Sequence, residues 1–290
     1  MAYAPLDSSH PDFPVLQPIV DSVFAAANGR EEFEIAVPVI LRTAIDEVID
    51  TPRTGRFLLE ETEKTEKTYL GTKVEILIRS HLKFAKGTIL DMNVFGTEVD
   101  IKNTMASNWS IPRENVGRPA LLIRSSERKA LCDVGIALLH DAYLNPGANQ
   151  DSKRGVSAAG QSNIWWLLRH HPYPVNFWQL LTSSERQSLV DAGGGTARIA
   201  ALFEMVQNRP ISRGQVQGLA RQHDYMKRVR RNGGARDILA PKGIAILSGT
   251  YDKQAIETLG LGLVTREEFI SHSPRTDEEA MYLRSIGHID

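Results

Sequence analysis

The chain has 290 residues and a net charge of −1, with 42% hydrophobic, 24% charged and 7% aromatic residues. These values exclude a disordered chain and are typical of a globular protein of about two domains. No apolar run approaches the ~18 residues of a membrane helix, and the first ten residues lack a signal sequence, so we expect a cytoplasmic protein with no membrane partner. Cys132 is the single cysteine, which excludes an intrachain disulfide and a cysteine-based zinc site.

The first part of the chain is predicted to be helical. Apolar residues recur at helical spacing over residues 15–27 and 31–50, which indicates two packed helices. Acids and lysines alternate over residues 60–67, as in an exposed helical turn. A further helix is predicted over residues 71–82, with Glu75 at the border of its buried face.

After Thr88 the apolar period changes from 3.6 to 2. Residues 89–94 and 97–103 are predicted to be two strands joined by a turn at Phe95 and Gly96, which makes a hairpin. Side chains two residues apart in a strand share a face, so Asp100 and Lys102 are expected to project in the same direction. Residues 120–124 indicate a further strand, and residues 130–138 either a strand or a strand that passes into a helix.

A domain junction is predicted at residues 169–174, where two prolines oppose a continuing helix. This divides the chain into a mixed α/β catalytic domain, residues 1–170, and a DNA-binding domain, residues 171–290. In the second domain three helical segments, at 198–207, 213–220 and 223–231, precede apolar pieces at 236–249. Three helices and a hairpin predict a mainly α, winged helix-turn-helix domain.

One segment of the second domain is strongly basic. Residues 208–242 contain nine basic and two acidic residues, whereas the rest of the chain has 25 basic and 33 acidic residues. This asymmetry is typical of a module that binds a polyanion, and double-stranded DNA is the first candidate. The alternative is a solvated basic face, although such faces usually mix both signs.

Four residues of the first domain carry candidate chemistry. Glu75, Asp91, Asp100 and Lys102 come within reach of one another if the predicted helix packs on the hairpin. Three carboxylates and a lysine suit Mg²⁺-assisted hydrolysis of a phosphodiester, because carboxylate oxygens hold Mg²⁺ and the lysine positions water or stabilises developing charge. The pattern Asp-x-Lys alone is weak and also describes a strand surface of alternating charge. The neighbouring acids and the basic module favour the catalytic interpretation.

Several stretches together carry a more specific signal. In the first domain they are Arg53–Arg56, Lys64–Ile76, Asp91 with Val99–Lys102, and Ile111–Gly117; in the second they are Phe203–Gln207, Asp224–Arg230 and Gly233–Arg236 with Pro241 and Gly243. These stretches resemble the NaeI restriction endonuclease family in sequence and in order. The resemblance is dense over residues 53–126 and 197–260, and it is poor in the N-terminal helices and after Thr265.

The resemblance implies a PD-(D/E)XK restriction-endonuclease-like core and a winged-helix domain of the catabolite-activator and topoisomerase type. It also implies a homodimer that binds two copies of its DNA site. By matching position, Glu75, Asp91 and Asp100 become the metal ligands and, with Lys102, the catalytic residues, with Mg²⁺ as cofactor and Mn²⁺ as a substitute. In the second domain we assign Arg228, Arg230, Arg231, Arg236 and Lys242 to phosphates, and Arg213, Gln215 and Lys227 to base edges or the groove.

The leading hypothesis is a sequence-specific type IIE restriction endonuclease, a hydrolase that cuts both DNA strands. Two other hypotheses stay open: a non-catalytic winged-helix regulator on a decayed nuclease fold, and a mismatch or nicking nuclease of related fold. At single positions, Tyr225 is interpreted as a packing residue or phosphate contact in preference to a nucleophile. His170 and His171 are interpreted as part of a solvated linker, and Trp165 and Trp166 as packing residues on a helix.

Overall fold

The computed structural model describes residues 6–222 and 224–290, which form two compact units. The first comprises the described residues up to Val48 and Leu59–Asn176, and the second comprises Ile49–Leu58 and Phe177–Asp290. The helices are α1 (Phe13–Ala26), α2 (Arg30–Ile49), α3 (Thr51–Thr54), α4 (Lys64–Leu82), α5 (Ala158–Ser162), α6 (Ser183–Asp191), α7 (Gly195–Met205), α8 (Arg213–Ala220), α9 (Ala235–Leu239), α10 (Lys253–Thr258) and α11 (Asp277–Ser285). The strands are β1 (Met92–Val94), β2 (Thr97–Thr104), β3 (Ser110–Ile111), β4 (Pro119–Ser126), β5 (Leu131–Leu138), β6 (Leu144–Ala148), β7 (Arg154–Val156), β8 (Trp165–Pro172), β9 (Ile211–Ser212), β10 (Ala245–Ser248) and β11 (Glu268–His272).

A five-stranded mixed sheet, in the order β1-β2-β4-β5-β8, organises the first unit. Strands β2 and β4 are parallel, and the other neighbouring pairs are antiparallel. The apolar run from Ala120 to Ile123 in β4 is buried on both faces, as expected for a central strand. Residues 131–138 are strand throughout, so no helix follows there. The mixed sheet with flanking helices is compatible with the restriction-endonuclease-like core that the resemblance implies.

The predicted hairpin is present, but its first strand is shorter than expected. Strand β1 begins at Met92, because the Glu98 side chain holds the preceding residues in a loop. Its carboxylate accepts hydrogen bonds from the backbone N–H groups of Thr88, Ile89 and Leu90. These N–H groups are therefore not available to extend the strand.

Helix α4 is longer than predicted. The exposed turn and the following helix form one helix from Lys64, which begins with a capping box between Glu63 and Glu66. The Glu63 backbone N–H donates to Glu66 Oε2 at 2.7 Å. The stripe of Leu70, Val74 and Ile78 is buried, and the helix packs against β2.

The predicted linker at residues 169–174 is instead mostly sheet. These residues continue strand β8, in which His171 is paired with Cys132 of β5, and Pro172 ends the strand at the edge of the sheet. The tryptophans at 165 and 166 therefore lie on a strand and not on a helix. The units divide after Asn176, whereas the sequence placed the boundary inside this strand.

The second unit combines short helices with a three-stranded antiparallel sheet in the order β10-β11-β9. The helix predicted over 223–231 is wrong: Tyr225–Arg228 is a single 3₁₀ turn, and position 223 lies outside the described residues. A tight turn follows, in which Asn232 has a φ of 67° and a Cβ at Gly234 would lie 2.0 Å from the Arg230 carbonyl oxygen. Residues 235–242 are helical and not part of a hairpin; strand β10 begins only at Ala245.

The second unit also includes residues 49–58, which the sequence assigned to the first domain. Helix α3 packs against α8, where a Cβ at Gly218 would lie 3.0 Å from Thr51 Cγ2. The Phe57 ring lies 4.6 Å from the Trp178 ring. These residues are therefore part of the second unit's own packing. Among the described residues, no helix is both long and apolar enough to span a membrane.

Candidate active site

Asp91, Asp100 and Lys102 lie together on the hairpin of β1 and β2. Asp100 and Lys102 project from the same face of β2, and Lys102 Nζ lies 2.7 Å from Asp100 Oδ2. The same Nζ atom lies 4.0 Å from Asp91 Oδ2. Asp91 directly precedes β1, and its Oδ2 accepts a hydrogen bond of 2.8 Å from the Ile101 backbone N–H. The hairpin thus brings together three of the four predicted catalytic side chains.

Glu75 joins this group from helix α4. Its side chain shares a hydrogen bond with the Asp91 carboxyl group and lies 3.5 Å from Arg79 Nη1, one turn further along the helix. Arg79 Nη1 also donates to the Asp91 backbone carbonyl at 3.0 Å. Arg79 therefore links the helix to the hairpin. The sequence analysis missed this residue, although its i, i+4 spacing from Glu75 indicates an ion pair.

Asn115 is a second residue that the sequence analysis missed. It lies in the 3₁₀ turn Arg113–Asn115, is 1% exposed, and donates a hydrogen bond from its side-chain amide to Asp100 Oδ2. The stretch that contains it, Ile111–Gly117, carried part of the family resemblance. Nothing in its local pattern indicated that the amide reaches a strand 15 residues away.

The pKa values in the cluster are shifted because several acidic side chains lie close together in a half-buried site. Burial, followed by the hydrogen bond with Asp91, raises the pKa of Asp100 to about 7, against the opposing effect of Lys102. Burial and the nearby Asp91 also raise the pKa of Glu75. Burial acts to raise the pKa of Asp91 too, but hydrogen bonds from Asp100 and the Ile101 N–H, together with Lys102, lower it overall. Asp91 is therefore the carboxylate that stays ionised.

The donor set fits a hard cation. No three acidic, histidine or cysteine side chains are arranged as a ready-made metal site within residues 6–222 and 224–290. Mg²⁺ does not require one, because it commonly keeps several waters and is held by one or two carboxylates. Lys102 Nζ lies 2.7 Å from Asp100 Oδ2 and 4.0 Å from Asp91 Oδ2, so the two carboxyl groups lie close together. Asp91 and Asp100 are therefore the pair of carboxyl groups that fits such a cation.

A cleft of about 540 Å³ lies within the first unit. One wall is helix α4 before Glu75, with Lys67, Thr68 and Gly71; the other is the chain that follows Lys102. Its lining comes from two elements that carry catalytic candidates, but none of the four candidate side chains lines it.

Five of the eight predicted DNA-contacting residues already have partners within the second unit. Arg236 Nη2 lies 3.1 Å from Asp252 Oδ2, and both side chains are largely buried, which makes this pair part of the internal structure. Gln215 is engaged in the capping box that begins α8. The other three form surface ion pairs: Arg213 with Glu267 at 2.9 Å, Lys227 with Asp224 at 2.9 Å, and Lys242 with Glu204 at 2.8 Å.

Arg228, Arg230 and Arg231 differ from that group. None of the three forms an ion pair with another residue of the described chain, and Arg230 and Arg231 are exposed. The nearby Tyr225 packs against the core of the second unit, in agreement with its interpretation as a packing residue. The structure therefore leaves Arg230 and Arg231, together with the exposed Arg209 near the start of the segment, available to an anionic partner.

Comparison with known proteins agrees with the resemblance seen in the sequence. The model of the family described as restriction endonuclease NaeI matches residues 34–281. The type II restriction enzyme NaeI of Lentzea aerocolonigenes is 32% identical over 241 residues, which covers 80% of this chain and 76% of that enzyme. Both matches extend across the two units. The chain belongs to the NaeI family of type II restriction endonucleases, which are DNA hydrolases.

Proposed function

We propose that this protein is a sequence-specific, Mg²⁺-dependent endonuclease that cuts both strands of DNA. The observation that carries the proposal is the cluster of Asp91, Asp100 and Lys102 on one hairpin, completed by Glu75 from helix α4. The similarity to a type II restriction enzyme supports DNA as the substrate.

We assign separate roles to the four side chains. Asp91 and Asp100 hold the cation, and Glu75 acts through its hydrogen bond with Asp91. When bound, Mg²⁺ or Mn²⁺ supplies Lewis-acid polarisation of the phosphate and lowers the pKa of water. Lys102 Nζ, 2.7 Å from Asp100, donates hydrogen bonds to the attacking water or to the charge that develops on the phosphate.

We further propose that the second unit is a winged-helix domain that binds DNA. The order α7, β9, α8, α9, β10, β11, with β11 between β9 and β10, supports this topology. Arg230 and Arg231 are assigned to phosphates because they are exposed and unpaired in the described chain. In this proposal the protein acts as a homodimer, and its second units hold a further copy of the recognition site.

Incubation of the purified protein with plasmid DNA and Mg²⁺, followed by mapping of the ends, tests the catalytic proposal. We expect linear products with one defined end sequence, no cleavage in excess EDTA, and DNA binding with little turnover in Ca²⁺. Binding without cutting would favour a regulator on a decayed fold, and nicks alone would favour a nicking nuclease. Either result contradicts the proposal.

The two-site proposal has its own experiment. We expect plasmids with two recognition sites to be cut faster than plasmids with one site at equal site concentration. Addition of a short duplex that contains the site should accelerate cutting of the one-site plasmid. Equal rates for both plasmids, unaffected by the duplex, would contradict an activating second copy while leaving the catalytic proposal intact.

A further inference from the structure

The carboxyl group of Asp100 is held by two different donors. Its Oδ2 atom accepts from Lys102 Nζ at 2.7 Å and from the side-chain amide of Asn115. The two donors come from different elements, since Lys102 lies on the same strand and Asn115 lies in a 3₁₀ turn. With Oδ2 occupied in this way, the remaining oxygen of Asp100 is the one available to Asp91 and to a cation.

The two donors differ in what the reaction requires of them. A lysine that also donates to water or to the phosphate during cleavage divides its three N–H donors between these partners and Asp100. A carboxylate held only by that lysine would follow the movement of the ammonium group. The Asn115 amide carries no charge and is not needed elsewhere, so its hydrogen bond persists while the lysine moves.

Asn115 is itself firmly placed. It is 1% exposed, its backbone N–H donates to the Pro112 carbonyl at 3.2 Å, and its own carbonyl accepts from the Arg118 N–H at 3.1 Å. Its side chain therefore enters from a fixed turn and not from a mobile loop. A buried donor that meets a buried carboxylate in this way fixes the orientation of that carboxylate.

We propose that Asn115 is a positioning residue that holds Asp100 in its metal-binding orientation independently of Lys102. This inference rests on the proposed function, because it assumes that Asp100 binds the cation. Partners of metal-binding side chains typically contribute about 10- to 100-fold to metal affinity or activity. The loss of the amide donor is therefore expected to weaken cation binding, not DNA binding.

The test compares three variants of the full-length protein. Asn115→Asp keeps the side-chain shape but replaces the donor with an acceptor, and Asn115→Ala removes the group. Asn108→Ala is the matched control, because the Asn108 amide donates in a similar way to the Val156 carbonyl at 2.9 Å but does not touch the cluster. The first measurement is Mn²⁺ binding in the absence of DNA, monitored by electron paramagnetic resonance. Single-turnover cleavage as a function of Mg²⁺ concentration is the second.

Asn115→Ala is expected to bind Mn²⁺ about tenfold or more weakly and to require correspondingly more Mg²⁺ for cleavage. Asn115→Asp should differ from Asn115→Ala, because its carboxylate adds an anionic oxygen beside Asp100. Their affinity for DNA should stay within about twofold, and the control should match the unchanged protein in both measurements. If the Asn115 variants behave like the control, the inference is wrong. If Asp100→Ala itself still cuts DNA, the proposed function fails instead, so the two failures are distinguishable.

A second pair of variants keeps the test decisive if a single Asn115 variant is unstable. Lys102→Met should retain most of its Mn²⁺ affinity, because Asn115 still holds Asp100. Addition of Asn115→Ala to that variant should then lower the affinity by a further tenfold or so. Strong loss of Mn²⁺ binding in Lys102→Met alone would show that the lysine holds the carboxylate and would overturn the proposed division between the two donors.

Discussion

The acidic cluster of the first unit and the basic segment of the second unit differ in where their charge partners come from. In the cluster, Asp91, Asp100 and Lys102 are close in sequence and meet on one hairpin. In the basic segment, residues 208–242, three of the cations are paired with acids outside it. These acids are Glu204, Asp252 and Glu267.

This difference shows what a count of charges along a sequence measures. In a hairpin, local spacing determines which side chains meet, so the charge pattern in the sequence survives folding. In a unit built from separate helices and strands, neighbours come from distant segments. The excess of basic residues in 208–242 therefore overstates the positive surface, and Arg209, Arg230 and Arg231 are exposed cations that remain available.

The strongest test of the cluster is the removal of its most buried acid. Asp100→Ala is expected to lower the single-turnover cleavage rate by about 10³-fold or more. The variant loses a proposed metal ligand, and Lys102 loses its carboxylate partner at the same time. Lys102→Ala should have a similar effect. DNA binding in Ca²⁺ and the thermal unfolding temperature should change little. Asp21→Ala, an exposed acid on α1, is the control that should cut normally. Substantial cleavage by the Asp100 variant in Mg²⁺ would remove the cluster from the mechanism.

The pH dependence of cleavage is a second test of the acidic cluster. The pKa of Asp100 lies at about 7, raised by burial and by Asp91, while Lys102 opposes the shift. Protons and Mg²⁺ therefore compete for this carboxylate, with Asp91 and Lys102 as the charged groups that act on it. The Mg²⁺ concentration that gives half-maximal cleavage should rise about tenfold for each pH unit below the pKa. Titrations at several pH values check this, and a constant Mg²⁺ requirement would contradict it.

The raised pKa of Asp100 also makes the stability of the folded protein depend on pH. The pKa of Asp100 in the folded protein is above its ordinary value of 3.8, so the folded state binds more protons between these values. The stability due to this group is fully present below about pH 4 and is lost as the pH rises through about 7. Thermal unfolding in EDTA should therefore show a loss of stability between about pH 4 and about pH 7 that Mg²⁺ reverses and that Asp100→Asn lacks.

For the basic segment, the comparison predicts that unpaired arginines dominate DNA binding. The double variant Arg230→Ala/Arg231→Ala should flatten the dependence of log Kobs on log salt concentration by about two units, because each arginine is expected to contact one phosphate. Fluorescence anisotropy with a labelled duplex at a series of salt concentrations measures this slope. An unchanged slope would mean that these exposed residues are a solvated face.

Arg236 provides the matched contrast within the same segment. Because its guanidinium is paired with the largely buried Asp252, Arg236→Ala should lower the free energy of unfolding by about 1–2 kcal/mol. The salt dependence of DNA binding should not change. Urea denaturation and the anisotropy series together test the distinction. A flattened salt slope with unchanged stability would place Arg236 among the phosphate contacts instead.

Much of the first unit could be predicted from its sequence. The helices, the hairpin and the shared face of Asp100 and Lys102 follow from local periodicity. The family resemblance then assigned the proposed chemistry to the helix and hairpin on which these side chains meet. The prediction failed where distant contacts decide the structure. The two prolines near residue 172 suggested a linker, but residues 165–172 pair along β5, and that pairing outweighs the local signal.

The contacts of Asn115 and Arg79 show the same limit at the level of single side chains. An asparagine in a short turn carries no sequence signal for a carboxylate on a neighbouring strand, because the contact depends on how the turn packs. The segment 223–231 shows the limit in the second unit. The sequence predicted a helix there, whereas the reversal at Asn232 and Gly234 confines the regular structure to one 3₁₀ turn.

The course of the chain between the two units affects how the second unit can be exchanged between related proteins, in evolution or by engineering. The chain leaves the first unit after Val48, contributes α3 to the second unit, returns at Leu59 and leaves again after Asn176. The second unit is therefore not one continuous segment of the chain. A single recombination point in the gene cannot transfer it whole, and a graft that begins at Phe177 omits the residues that pack against Gly218. Exchange of this unit between relatives requires three coordinated junctions, after Val48, Leu58 and Asn176, so the two halves of the protein are expected to diversify together.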